Sequence, residues 1–231
     1  MISVQKAIKI ITSYTTKLKE EYIVIEKSLG RITSKNIYAN INNPPTDVSS
    51  MDGYALNFNS LKNIKNIPIK IIGESSAGKP FTKTIKISEC IEIYTGAEVP
   101  KGINIILIQE RVQINNGHIT STNQNYKKFQ YIRKTGSNFK KKSLLLKKHT
   151  IITSRTLGLI ISSNHTKISV FKKPKIAILA SGNELIKPGS NFKNGIISSN
   201  SILLKSIINT FGGETFDLGI AKDTSSSISN K

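Results

Sequence analysis

Short runs of β-branched and other apolar residues, separated by Gly, Pro and Asn, fill the middle of this chain and limit what it can fold into. Such runs occur at 67–72, 84–87, 89–94, 103–108 and 111–114. Strands this short cannot bury a core singly, and close spacing between them is typical of an all-β unit. The pattern predicts a small antiparallel barrel or sandwich over about residues 55–133.

The two ends of the chain carry different patterns. Apolar residues recur at helical spacing behind Ser3, which predicts a capped amphipathic helix over about residues 3–18. Residues 175–179 form a continuous apolar run typical of a buried parallel strand, and a helical pattern at 199–211 and a strand pattern at 215–219 follow it. This order predicts the opening of a doubly wound α/β domain.

Ligands of such a domain bind beyond the carboxyl ends of its strands, where this chain has the turn Ser181-Gly182-Asn183-Glu184. Two parallel strands and one crossover cannot cover both faces of a sheet. We therefore expect an incomplete α/β domain: either another chain completes it, or the sequence is a truncated form of a longer one.

Composition indicates an anionic partner without identifying it. The 231 residues carry a formal net charge of +20, which suits nucleic acid, a membrane surface or a phosphorylated small molecule. The lysines are scattered through every region and the sparse aromatic residues do not alternate with them, so we expect general surface charge and no specific nucleic-acid partner. No apolar run reaches bilayer length and no secretory signal is present, so we expect no membrane partner and a cytoplasmic location.

The cysteine and the histidines argue against thiol chemistry and against a zinc or haem site. Cys90 is the sole cysteine and lies in a strand pattern without residues that would activate a nucleophile. His118, His149 and His165 stand far apart, with no carboxylate or thiol at ligand spacing. We expect Cys90 to pack in a core and any metal to be held by oxygen ligands.

Four segments place small residues and polar groups at turns. They are Met51-Asp52-Gly53-Tyr54-Ala55, Ser76-Ala77-Gly78-Lys79-Pro80, Thr95-Gly96-Ala97-Glu98-Val99-Pro100 and Ser181-Gly182-Asn183-Glu184-Leu185. Each alone is typical of a plain turn. The stretch 73–80 also matches most of a phosphate-binding loop, but Pro80 replaces the magnesium-binding hydroxyl and no helix pattern follows, which excludes an ATPase.

In this order and at this spacing, the four segments resemble the molybdopterin molybdenumtransferase family, the MoeA type and the E domain of gephyrin. The resemblance runs from the N-terminal helix to about Asp223 and covers only the first part of the family's length, so we expect a C-terminally truncated member. It implies a multidomain α+β and α/β fold. The expected parts are an elongated, partly helical N-terminal domain (1–54 plus 134–173), an inserted small β-barrel-like domain (55–133), and an incomplete doubly wound α/β, molybdopterin-binding-like domain (174–231).

The resemblance also implies a transferase of molybdenum cofactor biosynthesis. Such an enzyme inserts molybdenum from molybdate into adenylyl-molybdopterin and releases AMP, with Mg²⁺ as metal ion. The implied partners are the anionic pterin substrate, a second copy of the chain in an elongated homodimer, and other molybdenum-cofactor enzymes. In that dimer the cleft combines the α/β domain of one subunit with the smaller domains of the other.

By matching position, the resemblance implies three groups of site residues. Asp52, Thr95 and Glu184 would be catalytic, and Asp52, Glu184 and Asp223 would hold the metal through carboxylate oxygens. The substrate-binding residues would be Gly53, Gly96, Ser181, Gly182, Asn200 and Asp223.

Three positions depart from the family's acidic pattern. Gly136-Ser137-Asn138 stands where the family commonly has Gly-Glu-Asp, and Ser198 stands where an Asp usually occurs. The family's later glycine-rich loop and C-terminal β domain have no counterpart in these residues. Two alternatives therefore stay open: a catalytically inactive remnant that serves as a dimerisation or interaction module, and nonspecific nucleic-acid binding through net charge.

Overall fold

The chain folds into a mixed α+β structure with two compact units. The computed structural model describes residues 2–64, 66–121, 125–190 and 195–231. One unit contains residues 1–37, 146–158 and 166–231, and the other contains residues 38–145 and 159–165. The three-domain division expected from the sequence stays a prediction.

The described residues contain short strands and four α-helices. The helices are α1 (Val4–Tyr14), α2 (Ser154–Ser162), α3 (Asn200–Thr210) and α4 (Ser225–Ser229), with 3-10 turns at Ile25–Lys27, Phe58–Asn63 and Gln109–Arg111. The strands are β1 (Glu20–Val24), β2 (Ile37–Tyr38), β3 (Val48–Ser49), β4 (Gly53–Leu56), β5 (Ile69–Ser75), β6 (Glu89–Ile93), β7 (Ile105–Ile108), β8 (Gln113–Asn115), β9 (His118–Thr120), β10 (Ile132–Arg133), β11 (Leu144–Leu146), β12 (Lys167–Phe171), β13 (Lys175–Ser181), β14 (Leu185–Ile186), β15 (Ile196–Ile197) and β16 (Glu214–Ala221).

The unit that holds residues 38–145 is built on one six-stranded sheet in the order β7-β4-β6-β5-β9-β8. The sheet is mixed, because β5 pairs with β6 in parallel while the other pairs are antiparallel. The antiparallel expectation was therefore wrong for β5 and β6, and the other pairs of the sheet agree with it. The connection of residues 76–88 is long enough for the crossover that parallel neighbours require.

The strand expected at 84–87 was also wrong. These residues lie in the β5–β6 connection, outside every strand, and Ile87 is exposed. A β-branched run forms a strand only where a neighbouring strand offers hydrogen bonds and a surface to pack on. The glycine-rich segment before it ends β5 and forms a tight turn in which Ser76 and Lys79 exchange backbone hydrogen bonds, with no helix behind it, as expected.

The centre of this sheet is buried on both faces. Leu56 of β4 and Leu107 of β7 pack in a cluster on one face, while Ala55 and Ile106 pack in a cluster on the other. Cys90 is fully buried in the first cluster, which agrees with the packing role expected for it. Burial on both faces explains why β7 reads as four consecutive apolar residues rather than an alternating pattern.

The other unit contains an antiparallel pair, β1 with β12, and a parallel pair, β13 with β16. Helix α3 connects the two parallel strands and packs on both, and Gly212 ends it with a φ of +84°. This βαβ unit was predicted. Helix α1 was also predicted, with Ser3 accepting a hydrogen bond from the Lys6 amide, but it ends at Tyr14 rather than near residue 18.

Helix α4 was not predicted. It begins where Thr224 accepts a hydrogen bond from the Ser227 amide, a capping signal inside a serine-rich stretch that lacks apolar periodicity. None of the helices formed by the described residues has the length and hydropathy that a membrane span requires.

Candidate functional site

Strand β3 brings together the loops that carry the first predicted site residues. On one side it pairs with β10, where Ser49 lies opposite Ile132. On the other side the Ser49 amide donates to the Ala97 carbonyl (2.9 Å) and the Gly96 amide donates to the Ser49 carbonyl (2.8 Å). Asp52 follows three residues after this strand, so β3 sets the separation between Asp52 and the 95–97 loop.

Asp52 and Thr95 are in direct contact. Oδ1 of Asp52 accepts the Thr95 backbone N–H at 2.7 Å and the Thr95 hydroxyl at 2.8 Å. Both residues are exposed. The backbone hydrogen bond and then the hydroxyl bond lower the pKa of Asp52 below its usual value, because both donors favour the charged form. Asp52 is thus a carboxylate, and both hydrogen-bond donors of Thr95 are used on it.

Two glycines shape this contact. Gly96 occupies the third position of a turn in which the Ala97 amide donates to the Tyr94 carbonyl (2.9 Å), and its φ of +83° suits a type II turn. Gly53 begins β4 and is buried, and a Cβ there would overlap the Leu107 carbonyl oxygen of β7. Close approach of two strands therefore accounts for Gly53.

The structure adds a second carboxylate contact that sequence reasoning missed. Oδ1 of Asp47 accepts the Thr135 backbone N–H (2.8 Å) and hydroxyl (3.0 Å), and Oδ2 accepts the Lys134 ammonium (2.6 Å). Partial burial raises the pKa of Asp47, but the bonds from Lys134 and Thr135 outweigh it, and the net pKa is lowered. The only sequence signal was an acidic residue five places before Asp52.

Asn138, where the sequence resemblance implies a carboxylate, is hydrogen-bonded to Arg133 and Asn43. The Arg133 guanidinium donates to its Oδ1 (2.7 Å), and its Nδ2 donates to Oδ1 of Asn43 (3.0 Å). Ser137 beside it is exposed. The amide keeps an acceptor for the arginine but provides no negative charge.

The predicted residues at the carboxyl ends of β13 and β16 meet in the other unit. Ser181 Oγ donates to Asp223 Oδ1 (2.5 Å), and the Asp223 amide donates to Asn183 Oδ1 (3.3 Å). Glu184 and Asn200 are not part of these hydrogen bonds. A Cβ at Gly182 would lie 2.8 Å from Oε1 of Glu184, so Gly182 leaves room for that carboxylate.

An open groove of about 530 Å³ lies at this end of the parallel strands. Lys187 and Lys222 contribute cationic side chains to its lining, which gives it a charge suited to an anion. The lining residues are Gly182, Asn183, Leu185, Lys187, Ile220, Ala221 and Lys222. Two further residues singled out from the sequence lie just before and at the start of α3. Ser198 is buried and its amide donates to the Ile186 carbonyl, whereas Asn200 is the exposed first residue of α3.

The described residues contain no ready-made metal centre. No group of three or more His, Cys, Asp or Glu side chains among them could hold a metal ion. Oδ1 of Asp52 and Oδ1 of Asp223 are each taken up by hydrogen bonds within the chain. These residues alone do not fit a magnesium site, so no chemical step is assigned to one.

Comparison with known proteins agrees with this arrangement of strands and loops. The family model described as the MoeA N-terminal region (domain I and II) matches residues 2–163. The chain belongs to this family. The match includes the β3 region with Asp52, Thr95 and Thr135, while the β13–α3–β16 unit lies beyond it.

Curated relatives and solved structures extend the likeness. A molybdopterin molybdenumtransferase of Haemophilus influenzae is 29% identical over 204 residues, which cover 88% of this chain and 50% of the relative. One of Staphylococcus epidermidis is 28% identical over 215 residues, covering 91% and 51%. The chain thus spans about half the length of the curated relatives it matches. Crystal structures of a molybdopterin biosynthesis MoeA protein from Pyrococcus horikoshii cover 100% of this chain, with TM-scores of 0.86 and 0.90, identities of 31% and 26%, and 60% and 62% of the solved chains covered.

Proposed function

We propose that this MoeA-family chain acts in molybdenum cofactor biosynthesis, in the insertion of molybdenum from molybdate into adenylyl-molybdopterin with release of AMP. The observation that carries the proposal is the Asp52–Thr95 contact, which keeps an exposed carboxylate charged in a segment that the family model matches. The relatives' name, molybdopterin molybdenumtransferase, supports the transfer of molybdenum to molybdopterin.

In this proposal Asp52 is the residue that touches substrate, and Thr95 acts through it. Oδ1 of Asp52 is fixed by Thr95, which orients the carboxylate and leaves Oδ2 to bind or orient water at the reacting group. Lys187 and Lys222 bind the anionic pterin through charge. Ser181 orients the Asp223 carboxylate through its hydroxyl hydrogen bond.

Several finer expectations remain part of the proposal. These are the homodimer, the partnership with other molybdenum-cofactor enzymes, the Mg²⁺ requirement, the cytoplasmic location, the catalytic role of Glu184 and the substrate contacts of Gly53, Gly96, Gly182 and Asn200. Family membership supports those that concern residues 2–163, and the likeness to MoeA crystal structures that cover the whole chain supports those for Gly182, Glu184 and Asn200.

The test is molybdate-dependent release of AMP from adenylyl-molybdopterin by purified protein. We expect release by the natural sequence and strong loss in Asp52→Asn, which keeps the shape of the side chain and removes its charge. Asp217→Asn, which changes a carboxylate in the other unit, is the matched control and should keep the activity. No release at high enzyme concentration would refute the proposed reaction.

The interaction-module alternative has one observation in its favour. The acidic pattern that the resemblance implies at 137–138 is replaced by Ser137 and by an Asn138 amide that is hydrogen-bonded to Arg133 and Asn43. If this alternative holds, Asp52→Ala will leave the biological role of the chain intact in a complementation experiment. Loss of complementation in Asp52→Ala, with unchanged folding and abundance, would instead support the transferase.

A further inference from the structure

Asp47 joins the start of β3 to a loop almost ninety positions later in the chain. One carboxylate oxygen holds Thr135 through its amide and its hydroxyl, and the other oxygen holds the Lys134 ammonium. The same ammonium lies 3.9 Å from the centroid of the Phe129 ring. Asp47 therefore fixes both the 134–135 segment and a lysine that covers an aromatic ring.

The Asp47 contact has the same form as the Asp52 contact. In each, one Oδ1 accepts the backbone N–H and the hydroxyl of a single threonine. The two aspartates lie five residues apart, on either side of β3. The chain is thus held at both ends of this strand by an Asp–Thr clamp.

Strand β3 is only two residues long and depends on its neighbours for its position. Its hydrogen bonds run to β10 on one side and to the 96–97 loop on the other. The Asp47 carbonyl also accepts the Val99 amide at 2.9 Å. A shift at the Asp47 end would therefore move the loop that presents Thr95 relative to Asp52.

We propose that Asp47 is a positioning residue for the Asp52–Thr95 site, which it acts on by holding β3 through Thr135 and Lys134. Its functional meaning rests on the proposed function, since Asp52 is the substrate-contacting residue there. The effect of Asp47 on the geometry of the Asp52–Thr95 contact does not rest on the proposed function, because that contact can be measured without any turnover.

The test compares Asp47→Ala with Asp47→Asn in the whole chain. In each variant, NMR titration of the Asp52 carboxyl carbon and the Thr95 amide measures the pKa of Asp52. Both variants remove the same negative charge, but only Asn keeps an oxygen that can accept from Thr135. Loss of that charge favours ionisation of Asp52 and lowers its pKa, whereas loss of the Thr95 hydrogen bonds raises it. The direction in which the pKa of Asp52 changes therefore separates the electrostatic effect of the Asp47 charge from the positioning effect of Asp47.

We expect the Asp52 pKa to rise in Asp47→Ala relative to both Asp47→Asn and the natural sequence. Glu89→Gln, which removes a carboxylate that accepts the Lys86 amide in the same unit, should leave it unchanged. Equal Asp52 pKa values in the Ala and Asn variants, with Asp47→Ala merely less stable, would overturn the inference.

A second pair keeps the test usable if Asp47→Ala fails to fold. Thr135→Val removes one hydroxyl hydrogen bond without any change of charge, and Thr135→Ser keeps that hydroxyl. We expect the pKa of Asp52 to rise in Thr135→Val and to stay unchanged in Thr135→Ser. Equal Asp52 pKa values in these two variants would overturn the inference. Absence of AMP release by the natural sequence, with these shifts present, would refute the proposed function and leave the positioning effect standing.

Discussion

Oδ1 of Asp52 accepts both the amide hydrogen and the hydroxyl hydrogen of Thr95, at 2.7 and 2.8 Å. The resemblance named both residues as catalytic, but their contact gives them unequal tasks. Thr95 has no donor left for a phosphate or molybdate oxygen while this geometry persists. Its effect on any ligand is transmitted through the carboxylate that it holds.

Removal of the Thr95 hydroxyl should raise the pKa of Asp52. Thr95→Val keeps the backbone N–H bond, so we expect the pKa to rise part of the way toward the usual value, while Thr95→Ser should leave it low. A carboxyl with a lowered pKa in the folded state stabilises the protein above its unfolded pKa of about 3.9, and this contribution is lost as pH falls through the folded pKa.

Carbon-detected NMR titration measures the pKa of Asp52 directly. Unfolding in denaturant at pH 7 and pH 3 should show that Thr95→Val loses less stability than the natural sequence between the two pH values. An Asp52 pKa in Thr95→Val equal to that in Thr95→Ser would mean that the hydroxyl does not stabilise the carboxylate.

Gly53 should tolerate no side chain, for reasons of packing alone. Its Cβ would lie 2.8 Å from the Leu107 carbonyl carbon and overlap the carbonyl oxygen. Gly53→Ala must separate β4 from β7, and we expect a destabilisation of about 1–3 kcal/mol or more. Unfolding free energies from denaturant titration provide the measurement.

Gly158→Ala is the matched control for Gly53→Ala. Gly158 lies inside α2, its φ is not left-handed, and a Cβ there meets no atom within 4 Å. Alanine should therefore stabilise the helix by about 0.5–1 kcal/mol. We therefore expect the free energy of unfolding to fall in Gly53→Ala and to rise in Gly158→Ala. An unchanged free energy of unfolding in Gly53→Ala would contradict the close approach of β4 and β7.

The α/β order of β13, α3 and β16 could be predicted because each element depends on its own residues. A continuous apolar run, a helical repeat and a double glycine are local signals. The parallel pairing of β5 and β6 could not be predicted. A crossover connection over residues 76–88 and a hairpin loop of the same length have the same appearance in sequence. The run at 84–87 shows the same limit, since strand propensity does not supply a neighbour.

Within the site, the sequence supplied residue types but not their partners. Asp52 and Thr95 were found through the motifs that contain them, and their contact depends on the two-residue strand β3, which has no sequence signature. Asp47 and Thr135 lie 88 residues apart, so no local pattern could join them. Long-range hydrogen bonds of this kind are visible only once the backbone is placed.

The two lysines that line the groove should contribute separately to anion binding. Lys187→Met and Lys222→Met each remove one positive charge and keep most of the apolar stem. We expect each to weaken the binding of molybdopterin by about tenfold, the size of one charge-assisted hydrogen bond, and to reduce its salt dependence.

Calorimetric titration at two salt concentrations measures both effects. Lys205→Met on α3 removes an exposed charge outside the groove and serves as the control. The same loss of affinity in all three variants would show that molybdopterin responds to the general charge of the protein rather than to this groove.

Cys90 should be inert toward thiol reagents while the chain is folded. It is fully buried on β6, and burial raises the pKa of its thiol to about 12. A thiol whose folded pKa lies above its unfolded value stabilises the protein fully below about pH 8.5, and this stabilisation is lost as pH rises toward about 12. We therefore expect thiol labelling at pH 8 to proceed at the rate of unfolding and to increase in parallel with denaturant-induced unfolding.

Cys90→Ala should abolish the labelling and flatten the fall in stability above about pH 9, because no thiol then ionises in the unfolded chain. Rapid labelling of the folded protein, faster than unfolding measured by circular dichroism, would show that the core cluster around Cys90 opens locally.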